Sequence, residues 1–401
     1  MIKNVKAGEF IEHDFSYVSE DFLQNRSNKL AQFGDLLISM SGNRHDGSPE
    51  TWVGKIAQFR KTGNYFINQR VGALRVKPNA DIEPQFASYL LSSRSYQELF
   101  IAIATSSGGQ ANLSPTQILG ASLRYPRLPE QRAIAHILGT LDDKIELNRR
   151  RNETLEAMAR SLFKDWFIDF GPVRAKMEGR ASYLPPKLWD LFPDRLDDQG
   201  KPAGWQPGTL GDVAEHPRRS IQPEQIDPET AYIALEHMPK RCIALSSWGS
   251  AKALGSNKHE FKNREILFGK LRPYFHKVGV APVNGVCSTD IVVIAAKEER
   301  WFGFVLCHVS SDKFVELTNA GSTGTKMPRT NWKSMANYEL AIPTGDLAEA
   351  FNKFIEPLVD QIVESVHESR TLAQLRDTLL PKLISGEIRI DDAEKFAETV
   401  A

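Results

Sequence analysis

No stretch of the 401 residues reaches the roughly eighteen apolar residues of a membrane span. The opening Met1-Ile2-Lys3-Asn4 has no apolar run of the signal-peptide kind. A cytoplasmic protein without membrane contact is expected. Cysteine is scarce: Cys242, Cys287 and Cys307 are the only three, and none forms a CxxC pair. They read as reduced thiols rather than a disulfide framework. A surplus of one charge is also missing, because 50 Lys and Arg balance 50 Asp and Glu. Catalytic signatures are absent too. There is no GxxxxGK[ST], GxGxxG, HExxH or G-x-S-x-G. The Gly321-Ser322-Thr323-Gly324-Thr325-Lys326 run has the wrong spacing for a phosphate loop. The nine histidines are scattered, and His276 reads as a surface histidine on a strand edge. These absences argue against an enzyme and against a metal site.

What is present is a repeat. A shift of 217 residues lays Ile134, Leu138, Leu141 and Ile145 on Phe351, Ile355, Leu358 and Ile362, and Leu155, Leu162 and Trp166 on Leu372, Leu379 and Leu383. Spacings of four and three along the chain form the a/d seam of a coiled coil. The middle of each seam is polar: Asn148 and Asn152 fall on Ser365 and Ser369. Buried polar positions cost stability and fix register. Two such helices packed antiparallel bring the polar pairs together on a pseudo-twofold axis. Pro129 suits a first helical turn, Asp346 with Glu349 resembles a capping box, and Gly386 suits a C-terminal stop. Pro357 is expected to kink the second helix, and Arg376 replaces Ala159 in the seam.

The globular parts repeat more loosely. Phe33–Ile38 resembles Asn263–Phe268, a turn leading into a strand, and Val71–Val76 resembles Ile291–Ala296. The amphipathic helix expected over Phe86–Phe100 resembles Phe302–Leu317. Proline between the repeats excludes a long helix, yet Tyr183, Leu184, Leu188, Trp189, Leu191 and Phe192 are too apolar for a free tether. The expected fold is of the mixed α/β (α+β) class, with two globular domains separated by two long antiparallel coiled-coil helices. The boundaries are 1–128, first domain; 129–170, first helix; 171–204, proline-rich linker; 205–346, second domain; 347–386, second helix; and 387–401, tail. Residues 204–231 find no counterpart in the first copy, so its N-terminal segment is expected to be missing.

Charge is unevenly spread. Residues 1–128 hold 14 basic against 11 acidic side chains, residues 205–346 hold 17 against 15, and residues 347–401 hold 6 against 11. Mildly basic domains are compatible with nucleic acid. Reading DNA needs Arg or Lys on phosphates and Arg, Lys, Asn or Gln on base edges. The second domain offers Lys270, Arg272, Tyr274 and Lys277, where basic and aromatic residues alternate after a strand. The first offers Asn43, Arg44, Arg60, Lys61, Gln69 and Arg70. Two glycine-rich loops, with Ser107, Gln110 and Asn112 in one and Thr325 and Lys326 in the other, present backbone amides suited to phosphates. Arg149-Arg150-Arg151 on one helix and Glu364, Glu368 and Asp377 on the other are expected to face outward, as a partner surface.

Several segments resemble the specificity subunits of type I restriction–modification systems. They are Leu128-Pro129-Glu130-Gln131-Arg132-Ala133-Ile134-Ala135, Leu141 to Asn148, Phe163-Lys164-Asp165-Trp166-Phe167, Pro172 to Gly179, and Leu379 to Gly386. In the domains the resemblance is one of pattern only. It implies two target recognition domains, each reading half of a bipartite site in double-stranded DNA, with the helices as a ruler. It implies no catalysis and no cofactor on this chain. Two methyltransferase subunits would hold S-adenosylmethionine, and ATP-driven restriction subunits could join. A helix of about 38 residues spans about 57 Å at about 1.5 Å per residue. That is at most about 17 base pairs, and about 10 between half-sites. The alternative is a scaffold or inhibitor that keeps the helices without reading DNA.

Overall fold

A computed structural model describes residues 1–401 except 12–14, 20, 22–25, 27–28, 47–50, 108, 253, 325–326, 391 and 394–401, and the side chain of Ser107. The chain divides into two compact units, Met1–Lys144 with Leu372–Ala401, and Ile145–Thr371.

In the first unit, β1 (Leu36–Ser39) is followed by β2 (Ser41–Gly42), β3 (Ile56–Gln58) and β4 (Val71–Leu74). The sheet order β3-β1-β4 is antiparallel throughout. Alternation along a strand sends successive side chains to opposite faces. Leu36 and Ile38 pack with Ile56, Leu91 and Phe100, while Leu37 packs with Phe59, Val71 and Val5 on the other side. Two helices follow, α1 (Pro84–Ser92) and α2 (Arg94–Ile103), where the sequence suggested one. Ser93 sits extended between them, and its hydroxyl donates to Leu90 O at 2.7 Å, ending α1. The hairpin β5 (Thr105–Ser107) and β6 (Gln110–Asn112) joins β2 in a small sheet, and α3 (Pro115–Leu119) closes the domain.

The first long helix, α4, runs Leu128–Phe163 and ends in a π turn over Lys164–Ile168. Short helices α5 (Gly171–Met177) and α6 (Pro186–Trp189) follow. The proline-rich stretch packs rather than dangles: Phe192 meets Trp166 edge-on at 5.1 Å, and Trp205 meets Phe170 at 5.6 Å.

The second domain opens with β7 (Gln206–Thr209), α7 (Leu210–Val213), β8 (Ala214–Glu215) and β9 (Ser220–Ile221), then β10 (Ala231–Ile233), β11 (Gly249–Ser250) and β12 (Lys258–Phe261). It continues with β13 (Ile266–Gly269), β14 (Val278–Val280), β15 (Gly285–Cys287), β16 (Ile291–Ala296), α8 (Phe302–Val309), α9 (Asp312–Ala320), α10 (Trp332–Ala336) and β17 (Glu339–Ile342). The order β14-β13-β16-β8 repeats β3-β1-β4 with one strand added. Register agrees as well: Leu36 faces Leu74, and Ile266 faces Ile294. Before each central strand lies a left-handed turn residue, Gly34 (φ 92°) and Arg264 (φ 70°). Ser311 caps α9 through Phe314 N, so the α8–α9 break repeats the α1–α2 break.

The second long helix, α11, runs Gly345–Ser385, continuous through Pro357. Its start differs from expectation. Thr344 Oγ1 accepts from Leu347 N at 3.4 Å, while Glu349 pairs with Lys353, so Thr344 and not Asp346 is the cap. Gly386 adopts φ 75°, as a helix stop requires. Within the second unit Arg151 bonds Gln361, Asn148 bonds Glu368, and Phe163 stacks near Phe351, so the helices run antiparallel. Within the first, Arg376 bonds Asp142 at 2.7 Å, which gives a polar partner to the one charge in the seam. The α/β (α+β) class and the antiparallel helix pair both hold.

Candidate nucleic-acid interface

In each domain the chain leaves its central strand and turns a corner toward a second layer of pairing. In the first, Met40 donates its N–H to Arg70 O and accepts from Leu113 N, both at 2.9 Å, and Ser41 lies opposite Asn112. In the second, Lys270 donates its N–H to Asp290 O at 2.9 Å and accepts from Thr330 N at 3.0 Å, and Leu271 bridges to Arg329. The same bonds are made twice, so the corner is a property of the fold and its side chains vary.

At the first corner, Ser41 Oγ donates to Asn112 Oδ1 at 2.9 Å, and Asn112 Nδ2 donates to Gln110 O at 3.4 Å. Asn43 continues from β2, its Nδ2 donating to Thr51 Oγ1 at 2.9 Å. Gln69, Arg70 and Gln110 are exposed. Asn43, Arg70, Gln110 and Asn112 therefore share one corner. Arg44 and Arg60 serve the frame instead. Arg44 donates to Ala104 O at the end of α2 at 2.5 Å, and Arg60 reaches Gln58 at 2.8 Å and Asp143 at 3.4 Å. Lys61 is half-buried just beyond Arg60. Ser107 lies in β5, whose partner β6 makes the glycine-rich loop a tight hairpin, with Gly109 at φ 80°.

The basic–aromatic run of the second domain is split the same way. Tyr274 is exposed, with its ring 4.7 Å from Phe275. Lys270 and Arg272 are half-buried; Arg272 adopts φ 51°, donates its N–H to Pro328 O at 2.7 Å, and holds Nε buried. Lys277 donates to Leu235 O and is part of the frame. His276 is buried rather than on the surface, with Nε2 2.9 Å from Ser310 O. Thr325 and Lys326 lie outside the described residues.

The run His216-Pro217-Arg218-Arg219 was overlooked in the sequence. His216 and His259 pack edge to face at 5.9 Å, and Trp332 lies 6.2 Å from His216. Burial pushes both imidazoles below the usual histidine range, and the charges of Lys270 and Arg218 add to this. With both imidazoles held below the usual histidine range, the positive charge of this patch comes from Arg218 and Lys270. Arg329, also overlooked, is half-exposed and 3.2 Å from Asp290. The signal for Arg218 and Arg329 was a basic residue directly after a proline, Pro217-Arg218 and Pro328-Arg329.

In the helix pair, Asn148 Nδ2 donates to Glu368 Oε2 at 2.6 Å and to Ser369 Oγ at 3.3 Å, and Ser365 is buried. The polar step thus meets itself. Glu368 turns inward, a correction to the outward face expected for it. Arg149 and Arg150 pair with Glu146, and hydrogen bonds from Arg149 lead in lowering that carboxyl to about 2. Among the described residues, no group of three or more His, Cys, Asp or Glu side chains is placed to hold a metal, and no helix is long and apolar enough to cross a membrane. Burial pushes the Cys287 and Cys307 thiols up to about 12.

Residues 3–157 match the family described as Type I restriction modification DNA specificity domain. The chain is 26% identical over 336 residues to the type I restriction enzyme MjaIX specificity subunit of Methanocaldococcus jannaschii, covering 80% of this chain and 73% of that one. It is 26% identical over 377 residues to the HindI specificity subunit of Haemophilus influenzae, covering 81% and 82%. Over most of its length the chain is thus similar to type I specificity subunits, and residues 3–157 match their DNA specificity domain. A solved type I specificity subunit from M. genitalium aligns over 90% of this chain and 86% of that chain, at 16% identity and a TM-score of 0.48.

Proposed function

We propose that this chain is a type I specificity subunit that reads a bipartite double-stranded DNA target, one domain per half-site, while its helix pair sets the gap. The observation that carries the reading is the corner built twice from the same backbone bonds with different side chains, Asn43, Arg70, Gln110 and Asn112 in one domain and Lys270, Arg272 and Arg329 in the other. A shared frame with unlike polar groups suits two different half-sites. Two methyltransferase subunits dock on the chain and hold S-adenosylmethionine, and restriction subunits join that assembly. Methylome sequencing of cells that express this chain with its methyltransferase partner tests all of this at once. Two half-sites with a fixed gap are expected. A single contiguous motif, or no new methylation, refutes it.

A further inference from the structure

The loop from Lys270 to Lys277, between β13 and β14, is pinned from several sides. Gly269 donates its N–H to Lys277 O at 2.8 Å and closes the base. Arg272 donates its N–H to Pro328 O at 2.7 Å, and Arg241 donates its N–H to His276 O at 2.9 Å. From below, His276 Nε2 lies 2.9 Å from Ser310 O, and Lys277 donates to Leu235 O. Pro273 and His276 are buried. Three of the five non-glycine residues with left-handed backbone among the described residues sit here, Arg272 and His276 at φ 51° and Arg241 at φ 55°. Such backbone persists only where the surroundings hold it.

What this frame holds outward is Tyr274. It is 50% exposed, and its ring rests 4.7 Å from Phe275, which carries Lys240 Nζ at 4.7 Å. Among the described residues its hydroxyl makes no hydrogen bond. The cations around it are also uncompensated. Arg218, Lys270 and Arg272 have no acidic partner among the described residues, whereas Arg219, Arg241 and Arg264 are held by Glu265, Asp312 and Glu356. By the register that lays Met40 on Lys270, Tyr274 falls on Arg44, which donates to Ala104 O at 2.5 Å. The first corner therefore has no ring in this place. An exposed aromatic ring among unpaired cations offers stacking to bases and charge to phosphates.

We propose that Tyr274 is a specificity-determining residue of the second domain: its ring packs on the base faces of one step in the half-site that this domain reads, with Lys270 and Arg272 on the flanking phosphates. The inference rests on the DNA reading above and deepens it. A duplex offers base faces only where a step is parted, as inserted apolar side chains do. A loop already locked in one conformation loses little freedom when it makes that contact. The ring carries the contact, so it needs neither the hydroxyl nor a charge.

The test titrates the full chain, in complex with its methyltransferase partner, onto duplexes carrying the methylated bipartite site, with either half-site scrambled in turn. Tyr274→Ala should weaken binding by about tenfold. Tyr274→Phe should stay within about twofold of the unmodified chain. The slope of log affinity against log salt should be the same for all three, because a stacked ring releases no counterions. The loss from Tyr274→Ala should vanish when one particular half-site is scrambled and persist when the other is. Equal affinity of Tyr274→Ala and the unmodified chain overturns the proposal and leaves the DNA reading intact. So does a loss that Tyr274→Phe shares, a shallower salt slope, or a loss that survives scrambling of either half-site. A complex that binds no bipartite duplex at all overturns the DNA reading and this proposal together.

Discussion

At the residue scale, His308 is fully buried, and Phe163 and Phe304 meet it edge-on at 4.7 and 4.4 Å. Burial lowers its pKa to about 3. The unfolded chain titrates it near the ordinary value of about 6.5. Between these values the unfolded state binds the extra proton, so this residue's contribution is present above about 6.5 and is lost as pH falls toward about 3. His308→Phe should flatten the acid limb of a stability–pH curve, followed by urea denaturation from pH 7 to 4. An unchanged limb would mean that other groups dominate it. At the second corner, Lys270→Ala with Arg329→Ala should weaken binding at one half-site by about 1–3 kcal/mol and leave the other half-site unaffected. Titrating DNA carrying either half-site altered separates the two.

At the element scale the long helices bury more than a coiled-coil stripe. Glu156 is 3% exposed on α4, and its Oε1 accepts from Ile243 N at 3.0 Å, Ala244 N at 3.3 Å and the Cys242 thiol at 3.2 Å. One carboxylate thus ties the helix to a loop of the second domain. Not every polar seam residue is so well served. Asn152 holds Oδ1 buried without a hydrogen-bond partner among the described residues, while Asn148 reaches both Glu368 and Ser369. Asn152→Leu is therefore expected to raise stability by about 1 kcal/mol in chemical denaturation. Asn148→Leu should not, since it removes the hydrogen bonds that Asn148 donates to Glu368 and Ser369. Equal gains from both would show that the polar step carries no structural role.

On the scale of the whole molecule, each unit takes one part of each long helix, α4 and α11. If the gap between half-sites is set by these helices, their length is the control. Deleting one heptad from both removes about 10 Å of helix. The preferred gap should shorten by about three base pairs, at about 3.4 Å each. Selection from a library of half-sites at varied gaps reads this directly, and an unchanged preference removes the ruler from the mechanism.

The seam, its polar step and the repeat were legible in the sequence because each depends on spacing along the chain alone. Periods of three and four place side chains on one helix face whatever surrounds them. The antiparallel meeting of Asn148 with Ser369 followed from the position of each polar pair at mid-seam. Tertiary structure alone decided which basic side chains face outward. Arg44, Arg60 and Lys277 look like Arg70 and Lys270 in the sequence, yet each is drawn to a carbonyl or carboxylate of the frame. Whether an arginine meets such a group depends on which distant loop approaches it, and sequence spacing does not encode that approach. The same reason hid Arg218 and Arg329, which only the fold brings beside Lys270 and Asp290.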